Sequence, residues 1–122
     1  GYLNFSKNET WLGNISLNKS SNTKVSIISL DSFSTKNDPP QLIKIDTEGF
    51  ELNVLNGSKK LINEYNPFII FESLENKSSV YKFFLNHNYA IIDLKSYKKV
   101  DKKEFNSKKG NFLACPILKH NF

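Results

Sequence analysis

The chain has no methionine, no arginine and a single cysteine among its 122 residues, and each shortage narrows what it can be. Because Gly1 stands first and no methionine follows, we expect that translation begins upstream of the printed sequence. Cys115 alone excludes an internal disulfide and a multi-cysteine metal site. A lone cysteine suits a reducing compartment, so the sequence favours a cytoplasmic protein.

The net charge of +5 at pH 7 is carried by lysine alone. Arginine supplies the bidentate contacts to guanine and phosphate, so a lysine-only chain fits a dedicated nucleic-acid binder poorly. Salt-sensitive binding of nucleic acid by the lysine-rich segment 95–109 is the least favoured alternative. No apolar run is long enough to cross a membrane. We therefore expect neither nucleic acid nor a membrane as a partner.

Several familiar catalytic and binding motifs are missing as well. The sequence contains no Walker-type loop, no GxGxxG, no GxSxG and no HExxH. His87 and His120 have no second ligand-type residue at metal spacing, so we expect surface histidines and no histidine-based metal site. Whether a metal is needed stays open, since two neighbouring carboxylates are able to hold one. Cys115 lies in an apolar segment without a nearby group to lower its pKa, which favours a packed hydrophobe over a nucleophile.

Residues 41–72 form the clearest unit of the chain and predict a strand, an acidic turn, a helix and a second strand. The runs 42–45 and 68–71 are mostly apolar, as in strands that are covered on both faces. Between them, apolar residues near a 3.6-residue period predict a helix over 50–65. Asn66 and Pro67 end that helix.

The flanking sequence extends this alternation. Residues 8–22 allow either a loop or part of a hairpin, in which Trp11 should pack against other side chains. Outside that region we predict strands over 1–6, 24–30, 89–94 and 112–118, a helix over about 79–86, and a lysine-rich loop over 95–110.

Alternating strands and helices predict an α/β fold with a mostly parallel sheet and helices on both faces. The last strand follows a helix-free loop, so we expect it to be antiparallel. Pro116 near its end favours an edge position or a bulge.

Acidic residues follow the predicted strands. Asp46 and Glu72 each end an apolar run, and the carboxyl ends of neighbouring parallel strands share the edge where ligands bind. Glu48 and Glu51 lie in the next turn, where acids stabilise a helix start by about 0.3–1 kcal/mol each without any catalytic duty. That explanation does not cover Asp46, which must be desolvated or paired and is a candidate general base or ligand-orienting group.

Residues 41–72, together with the segments before and after them, resemble the FkbM family of S-adenosylmethionine-dependent methyltransferases. The specific part is the core Ile-Lys-Ile-Asp-x-Glu-Gly-x-Glu, followed by Val-Leu-x-Gly. The matching segments are 29–33, 43–51, 54–57 and 67–72, and segment 111–116 is similar to the final strand of the family.

The first strand, the glycine-rich loop and the ribose-binding acid of the family have no counterpart in the sequence. The resemblance therefore implies that residues 1–122 form a partial domain, the C-terminal half of a Rossmann-like methyltransferase sheet, without the main cofactor-binding motifs.

The resemblance also implies S-adenosylmethionine as cofactor and a small-molecule or glycan acceptor that is methylated on a hydroxyl. By position, Asp46 lies where cofactor and acceptor meet, Glu48 is next to it on the turn, and Glu72 faces the acceptor. These three are the predicted catalytic residues, and Asp46 is the candidate for a cofactor contact. Asp31 matches the Leu-Asp position of the family, where a structural and a catalytic role are both open.

A non-catalytic α/β module, acting in binding or assembly, is the alternative to an enzyme. Without the first half of the sheet, a strand edge and an apolar sheet surface would be exposed. Such surfaces favour self-association.

Overall fold

The computed structural model describes the backbone of residues 2–7, 13–16 and 23–117, and side chains from Ser26 to Ile117. Near the start of the chain, a three-stranded antiparallel sheet has the order β2-β1-β3. Its strands are β1 (Tyr2–Lys7), β2 (Gly13–Ser16) and β3 (Thr23–Ser26). The pairing of β1 with β2 is a hairpin, one of the two alternatives for this region. Trp11 and His120 lie outside the described residues.

The second sheet has five strands in the order β4-β5-β8-β6-β7. The strands are β4 (Leu42–Ile45), β5 (Phe68–Glu72), β6 (Tyr89–Asp93), β7 (Lys98–Lys99) and β8 (Asn111–Pro116). The helices are α1 (Leu30–Ser34), α2 (Glu51–Asn56), α3 (Lys59–Tyr65), α4 (Lys77–Asn86) and α5 (Lys102–Ser107).

The α/β class is confirmed, but the sheet is mixed and not mostly parallel. Among the described strands only β4 and β5 pair in parallel, because β8 lies between β5 and β6 and is antiparallel to both. The antiparallel direction of the last strand is confirmed. Of the two places predicted from Pro116, an edge or a bulge, the edge is wrong because β8 lies inside the sheet. The sheet accepts Pro116 in an interior strand because Pro116 is the last residue of β8. That the sheet is half of a larger Rossmann-like one stays a prediction.

The predicted strand over 24–30 is too long. β3 ends at Ser26, and Leu30 begins α1, because the Ser29 hydroxyl accepts a hydrogen bond from the Ser32 amide at 3.1 Å. Such a cap favours a helix start over a continued strand. Asp31 therefore lies in the first turn of a helix and does not end a strand.

The predicted helix over 50–65 is two helices, which are interrupted at Gly57 and Ser58. The Ser58 hydroxyl donates to the Leu55 carbonyl at 2.9 Å, and the Gly57 carbonyl accepts from the Asp31 amide at 2.9 Å. A Cβ at Gly57 would lie 3.2 Å from the Ser29 Cβ. The break therefore brings α1 into close contact with the junction of α2 and α3.

The segment predicted as a loop over 95–110 contains β7 and α5. Asp101 and Glu104 form a capping box at the start of α5, in which each side chain accepts a hydrogen bond from the backbone amide of the other residue. Phe105 is fully buried, and its ring centroid lies 4.7 Å from that of Phe112. This buried ring anchors the lysine-rich segment to the core.

One face of the five-stranded sheet is buried. Alternate residues of the long strands point into a single core, which the helices complete with Leu55, Leu61, Val80, Phe84 and Phe105. On the other face Leu42 is 55% exposed and Phe68 45% exposed. The described helices thus cover one face, and the prediction of helices on both faces is wrong for this part of the chain. None of the described helices has the length and apolar character to span a membrane.

Candidate functional site

Three strands of the mixed sheet, β4, β5 and β6, run in the same direction, so their carboxyl ends lie at one edge. We call this the carboxyl edge. The turn 46–49 follows β4 there, Glu72 and Ser73 stand at the end of β5, and Asp93 ends β6. Ligands of α/β sheets bind beyond such strand ends, which makes this edge the candidate site.

Asp46 is paired and not desolvated. Its carboxylate lies 3.1 Å from the Lys44 ammonium, and the Asp46 side chain is 54% exposed. Exposed pairs of this kind contribute about 0.2–1 kcal/mol, so Lys44 holds Asp46 only weakly. Glu72 is half-buried at the end of β5. Since Lys44 is in register with Ile70, Asp46 and Glu72 follow at equivalent places on neighbouring strands. Their catalytic roles stay predictions.

Glu48 does not belong to the helix that follows. α2 begins at Glu51, and Glu48 is an exposed turn residue with φ of 48°. The helix-start explanation therefore fails for Glu48. A non-glycine residue in the left-handed region costs about 1–2 kcal/mol, so the turn is held by contacts elsewhere. Gly49 follows with φ of 105°, a conformation that favours glycine.

Glu51 supplies those contacts. It is 1% exposed, and its Oε1 accepts hydrogen bonds from the Thr47 hydroxyl and the Gly49 amide, both at 3.1 Å. Its Oε2 is buried without a hydrogen-bond partner, and so is the Ser73 hydroxyl. The sequence predicts that Glu51 is an acid at a helix start. Its place in the first turn of α2 is confirmed, but its burial was missed, because sequence spacing does not show which first-turn acid faces inward.

Glu75 is a further acid that the sequence did not single out. A Cβ at Gly49 would meet the Glu75 carboxylate at 3.3 Å, so this exposed side chain lies over the acidic turn. The chain after β5 thus returns to the end of β4. This return adds a carboxylate to the same part of the edge.

Asp31 has a structural role. Its carboxylate accepts hydrogen bonds from the backbone amides of Lys60 at 3.2 Å and Leu61 at 2.9 Å. These amides lie in the first turn of α3, where no partner within the helix is available. Asp31 therefore caps α3, which supports the structural one of its two open roles.

Asp93 was also missed, although it ends an apolar strand just as Asp46 and Glu72 do. Hydrogen bonds from the Lys108 ammonium, the Ser96 hydroxyl and the Lys95 amide hold the pKa of Asp93 well below its usual range. In return, Asp93 raises the pKa of Lys108. Both oxygens of Asp93 are occupied by these donors, so the residue fastens the lysine-rich segment to the end of β6.

The carboxyl edge is therefore divided by charge. Beyond β4 and β5 it carries an acidic half, which we define as Asp46, Glu48, Glu51, Glu72 and Glu75. Beyond β6 it carries lysines of the segment 95–109, two of which are Lys95 and Lys108.

The remaining candidates are structural in the described part of the chain. His87 stacks on Phe83 with ring centroids 4.1 Å apart, and Cys115 is a half-buried free thiol. Among the described residues, no group of three or more His, Cys, Asp or Glu side chains is placed to hold a metal ion.

An apolar depression lined by Leu42 and Phe68 lies at the opposite end of β4 and β5 from the acids.

A comparison with protein families finds a match that covers most of the chain. The model of the methyltransferase FkbM domain matches residues 1–98, which include the acidic half and end before α5 and β8. No curated protein and no solved structure matches the chain. The matched region is 98 of the 122 residues and contains the Asp46–Glu51 turn on which the resemblance rests. The chain belongs to the FkbM methyltransferase family.

Proposed function

We propose that this protein takes part in the transfer of a methyl group from S-adenosylmethionine to a hydroxyl of a sugar or secondary metabolite. Membership of the FkbM family supports methyl transfer in general. The observation that carries the finer proposal is the position of Asp46 and Glu72 at the ends of the paired parallel strands β4 and β5. A molecule bound beyond these strands would meet both carboxylates.

Methyl transfer requires mainly that the protein hold the acceptor oxygen in line with the methyl group. When bound, the cofactor would supply an activated methyl group on a positively charged sulfur. The acceptor oxygen would take the methyl group, the sulfur would leave as a neutral thioether, and the hydroxyl proton would pass to a base. Holding the reacting atoms in line supplies much of the rate, and a base helps when the acceptor is a hydroxyl. Asp46 suits the base because it is exposed and held only by the weak pair with Lys44. Glu72 then orients the acceptor and Glu48 adds negative charge.

The carboxylates of the acidic half fit two parts of the cofactor, its sulfonium and its ribose. Carboxylates suit a sulfonium and ribose hydroxyls, and Asp46 is the candidate for this contact. The glycine-rich loop of the family has no counterpart in the sequence. We therefore propose that the chain is the C-terminal part of a longer methyltransferase. Sequencing the coding region upstream of Gly1 tests this, because it should encode an apolar strand, a glycine-rich loop and a second strand that ends in an acid.

Radiolabel transfer tests the enzyme proposal. The longest product of the coding region is incubated with methyl-labelled S-adenosylmethionine and a panel of hydroxylated sugars and metabolites. Replacing Asp46 with Asn should lower turnover about 10²–10⁴-fold, the usual contribution of a general base, and leave the fold intact. The exposed Asp38, replaced in the same way, is the matched control. Full activity of the Asp46→Asn protein would remove Asp46 from the mechanism, and a wild-type protein that labels no acceptor would contradict the proposal.

A further inference from the structure

The turn 46–49 carries two of the predicted catalytic acids and has an unusual backbone. Glu48 has φ of 48° and Gly49 has φ of 105°, so two successive residues adopt positive φ. A residue other than glycine stays in this region only when the surrounding structure holds it there. The backbone of the turn contributes a hydrogen bond from the Phe50 amide to the Thr47 carbonyl at 3.4 Å, which is longer than the usual range of about 2.7–3.2 Å. The conformation of Glu48 therefore depends on contacts from outside the turn.

Glu51 holds the turn on both sides of Glu48. Its Oε1 accepts hydrogen bonds from the Thr47 hydroxyl and the Gly49 amide, each at 3.1 Å. Thr47 and Gly49 are the residues before and after Glu48. Hydrogen bonds to a carboxylate are roughly twice as strong as those between neutral groups. They are stronger still where water is excluded, and Glu51 is only 1% exposed. The conformation of Glu48 is thus fixed by the carboxylate of Glu51.

Glu51 is itself anchored in the core. It begins α2, and Leu55 lies one turn later on the same face of the helix, fully buried in the core. A side chain that is anchored in this way and closed off from solvent has no surface for contact with a substrate. Any effect of Glu51 on a reaction at the carboxyl edge must therefore pass through the turn that it holds.

We propose that Glu51 is a positioning residue of the methyl transfer, which acts by presenting Asp46 and Glu48 at the carboxyl edge. The inference rests on the proposed function, and it adds Glu51 and Thr47 to the residues on which the rate depends. Glu72 belongs to another strand, so it keeps orienting the acceptor when the turn loosens. Loss of the hydrogen bonds to Glu51 should therefore lower kcat and leave the KM of the acceptor nearly unchanged.

Thr47→Val and Thr47→Ser form a matched pair that tests the proposal. Valine has nearly the shape of threonine without the hydroxyl, whereas serine keeps the hydroxyl that donates to Glu51. In Thr47→Val, hydrogen exchange of the Gly49 amide should become about tenfold faster in protein without cofactor, and kcat per folded molecule should fall about tenfold. Thr47→Ser should stay close to wild type in both measurements. Thr35→Val removes a similar hydroxyl hydrogen bond at the end of α1 and is the control, which should change neither.

Glu51→Gln is the second variant. Glutamine keeps one oxygen for Thr47 and Gly49 but not the negative charge, so Gly49 exchange and kcat should change in the same direction as in Thr47→Val. A role of Glu51 in stability alone predicts a different result. The melting temperature would then fall, and turnover per folded molecule would stay that of wild type.

The proposal is overturned if exchange of the Gly49 amide stays slow in both Thr47→Val and Glu51→Gln, because Glu51 would then not hold the turn. It is also overturned if this exchange becomes faster in Thr47→Val while kcat per folded molecule is unchanged. Either outcome contradicts the inference alone. A wild-type protein that labels no acceptor would contradict the proposed function and this inference together.

Discussion

The Asp93 carboxylate lies 2.9 Å from the Lys108 ammonium, and this ion pair joins the end of β6 to the residues that lead from α5 into β8. Lys77, at the start of α4, donates to the backbone carbonyls of Lys108 and Phe105. Burial lowers the pKa of Lys77, and the nearby charge of Lys109 adds to this. The segment that the sequence predicts to be a solvated loop is thus held at three places: by one ion pair, by the hydrogen bonds of Lys77 to two backbone carbonyls, and by the buried ring of Phe105.

The first prediction concerns stability at low pH. The folded-state pKa of Asp93 is depressed, whereas an unfolded aspartate titrates near 3.9. The unfolded chain therefore binds a proton more readily, and the stabilisation by Asp93 is complete above about pH 5 and lost as the pH falls below about 4. Melting temperatures of wild type and Asp93→Asn should differ at neutral pH and converge on acidification. A difference that stays constant from pH 7 to about pH 3 would contradict this assignment.

The second prediction concerns Asp31. Replacing it with Ala removes the acceptor for the Lys60 and Leu61 amides, so the free energy of unfolding should fall by about 1–2 kcal/mol. Urea denaturation measures the change, and the exposed Asp38→Ala is the control. Methyl transfer per folded molecule should be unchanged. If Asp31→Ala kept its stability and lost turnover, the catalytic alternative for Asp31 would be correct.

The third prediction compares two glycines with positive φ. Gly49 has φ of 105° and lies against Glu75, whereas Gly110 has φ of 128° and open space where a Cβ would be. Each change to Ala should destabilise the fold by about 1–2 kcal/mol through backbone strain. Gly49→Ala should also push the Glu75 carboxylate aside. Methyl transfer per folded molecule should therefore fall in Gly49→Ala and not in Gly110→Ala, and equal turnover of the two variants would argue against a role of this turn in the proposed reaction.

The sequence predicted the strands that contain a short apolar run, but two of them, expected to be covered on both faces, have the exposed residues Leu42 and Phe68 on one face. Leu42–Ile45, Phe68–Glu72 and Tyr89–Asp93 were located closely because each contains a short apolar run with polar neighbours. The errors come from competing local chemistry. The Ser29 cap turns a predicted strand end into α1, and the Asp101 and Glu104 box builds α5 within a lysine-rich segment. Both caps have sequence signatures, but apolar periodicity alone does not detect them.

The remaining differences between the predicted and the observed structure come from the tertiary arrangement. The place of β8 between β5 and β6 depends on how the chain returns to the sheet, which no local pattern encodes. The edge position of Asp46 and Glu72 was predictable, because it follows from parallel neighbours. The burial of Glu51 was not, since Glu48 and Glu51 are the same residue type in the same turn. Only the fold shows that Glu51 faces inward and Glu48 outward.

The last prediction concerns self-association, which was expected from the sequence and stays a prediction. Leu42 and Phe68 are opposite each other in register and about half exposed, on the sheet face that the described helices leave open. Apolar surface of this kind loses contact with water when two copies meet, and each such side chain contributes about 1.5–3 kcal/mol when it is fully buried. Sedimentation of the chain should therefore show a mass that rises with concentration.

Phe68→Thr tests which surface is responsible. Threonine keeps the preference for a strand and removes the apolar ring, so association should weaken by about tenfold or more. Phe33→Thr is the matched control, because Phe33 is a similarly exposed phenylalanine on α1 and not on the open sheet face. If both variants lost association equally, the open face would not be the contact. A wild-type chain that remained a monomer at every concentration would show that Leu42 and Phe68 are exposed without consequence for assembly.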